Sequence, residues 1–229
     1  MTWHELEPLS TDVASMLPPW PQISLMAGII DDHVSALYPE EAAAIARARP
    51  PRVREFATGR YLARRAMTAL GVSAGPILKA EDRSPVWPEG VIGSLTHAAD
   101  LAIAAVSRPE AVTGIGIDLE QHDRVTEPLF RKLFTAAECS SPALRERSPD
   151  RDRAAALMFS AKEAAYKAVY PRVGRFIGFQ EAEIDIDWDA RTLRARYIGD
   201  HSPNRIMSDG VGHFCFFGDY VLTVFLIPR

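Results

Sequence analysis

Two carboxylates stand one residue apart in the stretch Gly114-Ile115-Gly116-Ile117-Asp118-Leu119-Glu120. Ile115, Ile117 and Leu119 alternate with Gly116, Asp118 and Glu120, the period of a half-buried strand. Residues two apart in a strand project from one face, so both carboxylates point the same way. At roughly 4 Å they would repel by about 4 kcal/mol at a near-surface effective dielectric. A divalent cation turns that repulsion into attraction, and hard oxygen ligands favour Mg2+ or Mn2+. The two glycines are expected to keep the backbone open for the close approach of a ligand. The plainer reading is an edge strand ending in solvated acids, and for this stretch alone it is favoured.

Downstream, Glu163 and Lys167 lie one helical turn apart. By itself such a pair is an ordinary surface salt bridge worth a few tenths of a kcal/mol. A third group is basic: Arg52, Arg54, Arg60, Arg64 and Arg65 fall on one predicted helix of an acidic protein. Most such runs are solvated faces. A phosphate clamp would need only two of the five to turn inward, and Arg suits bidentate phosphate contacts. Thr96 and His97 sit at a predicted strand end beside glycine-containing backbone, where an anion could be held.

These residues must be positioned by elements that punctuation and periodicity outline. After a Pro-rich arm (Pro8, Pro18, Pro19, Pro21), Ile23 to Ile30 reads as a strand. Tyr38-Pro39-Glu40-Glu41 starts a helix, with Pro at the first position and acids in the first turn, and Arg49-Pro50-Pro51 breaks it. A second helix is predicted from about Val53 to Leu70, with Gly71 just beyond its end. Val91 to Ser94 reads as a strand, Leu95 to Asp100 as a turn, and Leu101 to Val106 as a buried strand. Leu129 to Phe134 is a short amphipathic element. Ser148-Pro149-Asp150 opens a helix running to about Val169, before Tyr170-Pro171, with Ala154, Leu157, Met158, Ala161, Ala165 and Ala168 as its buried stripe. Ala182 to Trp188 and Leu193 to Tyr197 alternate as strands whose acidic and basic rows would face one another, and Val211 to Ile227 forms a hairpin.

Composition narrows the function classes. The chain has 229 residues, 47% of them hydrophobic, enough for one large domain or two small ones. A formal net charge of -4 argues against a nucleic-acid binder running on bulk charge, while leaving room for a local basic pocket. No apolar run reaches the roughly 18 residues of a membrane span, and the acid-containing start is no secretory signal. Cys139 and Cys215 lack metal-ligand spacing and read as reduced thiols of a cytoplasmic protein. Gly114-x-Gly116 lacks the third glycine of a dinucleotide-binding fingerprint.

The turn and strand from His97 to Val106 echo Phe217 to Leu226, an aspartate preceding an apolar strand in each. This points to two similar halves meeting near residue 110.

Taken together, Asp118-x-Glu120 and Phe159-Ser160-Ala161-Lys162-Glu163-Ala164-Ala165-Tyr166-Lys167 resemble the two signatures of the phosphopantetheinyl transferases. Those are a Gly-x-Asp-x-Glu strand and a Trp/Phe-Ser/Cys-x-Lys-Glu-Ala-x-x-Lys helix. Gly93-Ser94-Leu95-Thr96-His97 is similar to the family's Gly-Ser-x-x-His segment, and Lys79 with Pro85-x-Trp87-Pro88 fits the loop before it. The resemblance spans about residues 50 to 180 and is nearest the larger, pseudo-dimeric class of actinobacterial type. Phe159 stands where many members have Trp, and Ala98 where many have Cys.

The resemblance implies an α+β fold, a pseudo-dimer of two similar α/β halves (residues 1–110 and 111–229) with the active site in the cleft between them. It implies transfer of 4'-phosphopantetheine from coenzyme A to a serine of an apo acyl or peptidyl carrier protein, with adenosine 3',5'-bisphosphate leaving. Asp118, Glu120 and Glu163 would hold Mg2+ (or Mn2+) on the pyrophosphate. Glu163 would also act as the base, and Lys167 would offset charge on the leaving group. Arg52, Arg60, Lys79, Thr96 and His97 match positions gripping the adenosine 3'-phosphate, adenine edge and pyrophosphate. Glu81, Asp82 and Phe176 are weaker matches. A monomer is expected, with neither nucleic acid nor membrane as partner. Two rival readings stay open: a Mg2+-dependent coenzyme A pyrophosphate hydrolase, which lacks its Glu-rich helix signature here, and a catalytically degenerate coenzyme A-binding module.

Overall fold

The computed structural model describes residues 13, 15–20, 22–144 and 150–229. The expected helix-opening Ser148-Pro149, and Pro8 and Pro21 of the N-terminal arm, lie outside the described residues. The chain forms two compact units, Met1–Thr113 and Gly114–Arg229. Both combine helix and antiparallel sheet, so the fold class is α+β.

The first unit contains strand β1 (Ile23–Ile29), helices α1 (Pro39–Ile45) and α2 (Pro50–Ala69), short strands β2 (Leu78–Lys79) and β3 (Pro85–Val86), then β4 (Ile92–Ala98) and β5 (Leu101–Ser107). β1, β5 and β4 make a three-stranded antiparallel sheet in that order. Helix α2 lays Leu62, Ala63, Ala66 and Met67 on Ala102, Ala104 and Val106 of β5, its apolar residues recurring at helical spacing. Pro50 and Pro51 occupy the first two helical positions rather than ending the helix before, because the N–H groups they lack have no partner there. The helix stops at Gly71, whose φ of 66° suits a residue without Cβ. Leu95 to Ala98 continue β4, where the sequence predicted a turn, and only Ala99 and Asp100 turn the chain.

The second unit contains β6 (Gly114–Gln121), helices α3 (Glu127–Leu133), α4 (Ala136–Cys139) and α5 (Arg151–Val173), then β7 (Ala182–Asp187), β8 (Thr192–Tyr197), β9 (Val211–Phe217) and β10 (Tyr220–Ile227). Its sheet runs β6-β10-β9-β8-β7, all pairs antiparallel. Glu183 faces Arg196 and Asp185 faces Arg194 across β7 and β8, the acidic-to-basic pairing the alternation predicts. Helix α5 runs past Pro171 and ends at Gly174 (φ 64°), whose N–H reaches Tyr170 O at 2.8 Å. Pro171 is thus carried in its last turn, beyond the expected end at Val169.

The glycines of β6 serve packing, not ligand approach. A Cβ on Gly116 would lie 1.9 Å from Ala164 O and 2.6 Å from Ala168 N of α5, and one on Gly114 would lie 2.4 Å from Ala168 O. Glycine on the strand and alanine on the helix bring the two backbones together. β6 stands at the edge of its sheet, as the plainer reading has it, but it is buried from Gly114 to Leu119 and emerges only at Glu120 and Gln121, so it is not half-buried.

Candidate active site

Gly114, Gly116 and Asp118 share the face of β6 that α5 covers, which carries the Asp118 carboxylate under the helix. Lys167, on α5, donates to Asp118 Oδ1 at 2.7 Å and to Ile117 O at 3.1 Å. Two turns earlier Ser160, fully buried, donates to Asp118 O at 3.0 Å and ties the same strand to the same helix. Lys167 therefore forms its ion pair with Asp118 across the strand-helix junction, where the sequence alone pairs it with Glu163 on the helix surface.

Electrostatics link Asp118, Glu120 and Glu163. Burial pushes the Glu120 carboxyl up to about 7, with Asp118 and Glu163 adding to the rise and Lys167 and Arg124 opposing it. Glu163 is also raised, first by burial, with Asp118 adding and Lys167 opposing. Two partly buried acids, Glu120 and Glu163, both raised by burial and by the neighbouring Asp118, form a site poised for a cation or for holding protons. Among the described residues no group of three or more His, Cys, Asp or Glu side chains is already arranged to hold a metal ion.

Lys162, between Ser160 and Glu163, does something else. Its ammonium is buried and donates to Glu138 Oε2 at 2.6 Å, Leu133 O at 2.9 Å and Phe179 O at 2.7 Å. Glu138 also accepts from Thr135 N at 2.8 Å and Ile184 N at 2.9 Å. Thr135-x-x-Glu138 is a capping box, a signal present in the sequence, but the partner 24 residues on was not legible.

The first unit gathers five predicted residues around one cavity of about 180 Å³: Arg52, Arg60, Lys79, Thr96 and His97. Of the five arginines on α2, Arg52 and Arg60 turn toward it. Arg64 is taken by the fully buried Glu41, 3.0 Å from each carboxylate oxygen, and Arg65 lies 3.4 Å from Tyr61 Oη. Arg60 is held by Ile77 O at 3.3 Å and over the Phe56 ring at 3.4 Å, and burial lowers its pKa to about 10, so it stays cationic at neutral pH. Sequence reasoning missed two charged residues of this lining, Glu55 and Arg83. Arg83 reaches the cavity from the turn between β2 and β3, where its φ is 74°. Glu81 and Asp82 lie exposed in that turn, outside the lining, and Asp82 accepts from Ser84 N at 2.9 Å. Phe176, in the second unit, is 65% exposed and meets Tyr166 edge-on at 5.4 Å.

The second unit thus sets acids and a lysine on a helix-sheet junction, and the first lines a cavity with basic side chains suited to an anion. Residues 114–225 match the 4'-phosphopantetheinyl transferase superfamily, and residues 40–107 match the 4'-phosphopantetheinyl transferase N-terminal domain. The chain belongs to the 4'-phosphopantetheinyl transferase superfamily. It is 41% identical over 190 residues to the 4'-phosphopantetheinyl transferase Svp of Streptomyces mobaraensis, covering 81% of this chain and 76% of that protein. PptT of Mycobacterium tuberculosis, another 4'-phosphopantetheinyl transferase, is 41% identical over 173 residues, covering 75% of this chain and 73% of its own. Npt of Nocardia iowensis, of the same description, is 38% identical over 150 residues, 66% of each chain.

Proposed function

We propose that this enzyme moves 4'-phosphopantetheine from coenzyme A to a serine hydroxyl of an apo acyl or peptidyl carrier protein, with Mg2+, and releases adenosine 3',5'-bisphosphate. The observation that carries the site assignment is the junction of β6 and α5, where Asp118, Glu120, Glu163 and Lys167 interact. Asp118, Glu120 and Glu163 would offer carboxylates to Mg2+, which when bound would supply charge neutralisation at the pyrophosphate. The serine oxygen forms the new bond to phosphorus as the bond to the bridging oxygen breaks. Glu163 takes the serine proton, directly or through water, its raised pKa favouring that role. Lys167 offsets charge on the departing bisphosphate.

The basic cavity of the first unit receives the adenosine phosphates through Arg52, Arg60, Lys79, Thr96 and His97. Positioning and charge neutralisation carry most of the catalysis, as phosphoryl transfer requires. The free thiols of Cys139 and Cys215 agree with a cytoplasmic setting, and one chain carrying both units agrees with a monomer. The test is transfer by Asp118→Ala at limiting Mg2+. Loss of transfer with the fold retained supports the assignment; near-normal turnover overturns it.

A further inference from the structure

The basic cavity contains a carboxylate that anion binding does not call for. Glu55 is the one acid among its lining residues, beside Arg52, Arg60, Lys79 and Arg83. On α2, three residues after Arg52, it accepts from Arg52 Nη1 at 3.0 Å. The same Nη1 lies 2.9 Å from His97 Nε2 on β4, and that nitrogen is 3.5 Å from Glu55 Oε2. A guanidinium has only donors, so Arg52 hydrogen-bonds this imidazole through the tautomer that accepts at Nε2. One arginine nitrogen is thus shared between a carboxylate on the helix and an imidazole on the strand.

As an ordinary helix-surface pair, Arg52 and Glu55 would contribute little. The contact to a second element and the placement in the cavity wall give the carboxylate another use. We infer that Glu55 is a positioning residue of the phosphate cavity, holding Arg52 and His97 in the geometry that receives the anion. The Arg52 side chain is 53% exposed, and an unrestrained guanidinium there would have to be ordered by the ligand at a cost in affinity. Four cations against one carboxylate leave the cavity net positive, so Glu55 can organise the donors without cancelling the attraction.

This rests on the reading that the cavity takes the 3'-phosphate of coenzyme A. The test titrates coenzyme A and 3'-dephospho-coenzyme A into the full chain by calorimetry, for the native protein and for Glu55→Ala, Glu55→Gln and Arg52→Ala. Glu55→Ala should weaken coenzyme A about tenfold, the scale of one ordered contact to a charged group, while barely changing the dephospho compound. Glu55→Gln, which keeps an acceptor oxygen for Arg52, should recover most of the loss. Unchanged or tighter coenzyme A binding by Glu55→Ala, or a Gln variant no better than Ala, overturns the positioning role. If Arg52→Ala also binds coenzyme A normally, the cavity reading itself fails; if Arg52→Ala alone is weakened, only the role of Glu55 does.

Discussion

At the scale of single residues, two lysines five positions apart on α5 have separate duties. Lys162 is buried in an ion pair with Glu138, and removing one partner of such a pair typically costs about 3–5 kcal/mol. Lys162→Met should therefore lower the melting temperature sharply, whereas Lys167→Met should lower turnover while coenzyme A still binds. Calorimetric melting beside steady-state kinetics separates the two, and equal behaviour of both variants would refute the division. Glu120 gives a pH signature. Its folded-state pKa near 7 lies above the usual carboxylate value, so between about 4.5 and 7 the folded protein binds more protons than the unfolded chain. Metal-free stability should then fall as pH rises through that window. Mg2+ competes with the protons, so its stabilising effect should grow from pH 5 to pH 8; a pH-independent gain in melting temperature would contradict this. The sequence displayed Asp118, Glu163 and Lys167 because they are close in sequence to recognisable signatures. It could not display Glu55 or Glu138 as it did those three, since their roles depend on partners brought near only by folding.

At the scale of elements, periodicity and punctuation gave most strands and both long helices. Boundaries failed where a residue serves two opposite purposes: proline starts α2 at Pro50 and is tolerated at Pro171, and neither outcome is fixed by the local sequence. The β6 glycines show the same ambiguity, since room for a ligand and room for a helix backbone look identical in one dimension. Gly116→Ala should destabilise by about 3 kcal/mol or more, because the neighbours that must yield are backbone atoms of α5. Gly59→Ala on α2, where the new Cβ would meet only Leu95 at 3.9 Å, should be neutral or gain about 0.5–1 kcal/mol. Equal effects in chemical denaturation would remove close packing as the explanation. Helix α3 tests the carrier surface. Phe130, Leu133 and Phe134 are buried, leaving Leu129, Arg131 and Lys132 outside. Replacing Arg131 and Lys132 by Glu should raise the KM for the carrier, most at low salt, and leave that for coenzyme A unchanged; an unchanged carrier KM places docking elsewhere.

At the scale of the whole molecule, the two units repeat one scheme that the sequence echo only hinted at. In each, the first strand pairs with the last, which pairs in a hairpin with the one before it: β1-β5-β4 and β6-β10-β9. The hairpins turn at Ala99 (φ 48°) and Gly218 (φ 51°), and Ile30 N donates to Asp100 O as His122 N donates to Asp219 O. By that register Asp118 and Glu120 correspond to Met26 and Gly28, so only the second unit carries the acids. The duplication was faint in sequence because backbone hydrogen bonds, not side chains, preserve it. The central claim is that the acids of β6 and α5 drive transfer to a carrier protein. It is tested most directly by incubating the enzyme with coenzyme A, Mg2+ and an apo carrier domain and measuring the carrier's intact mass. The account predicts a gain of one phosphopantetheine per carrier, slowed at least about a hundredfold by Glu163→Gln. An unmodified carrier while coenzyme A is broken down, or a Glu163→Gln enzyme as fast as the native one, would contradict it.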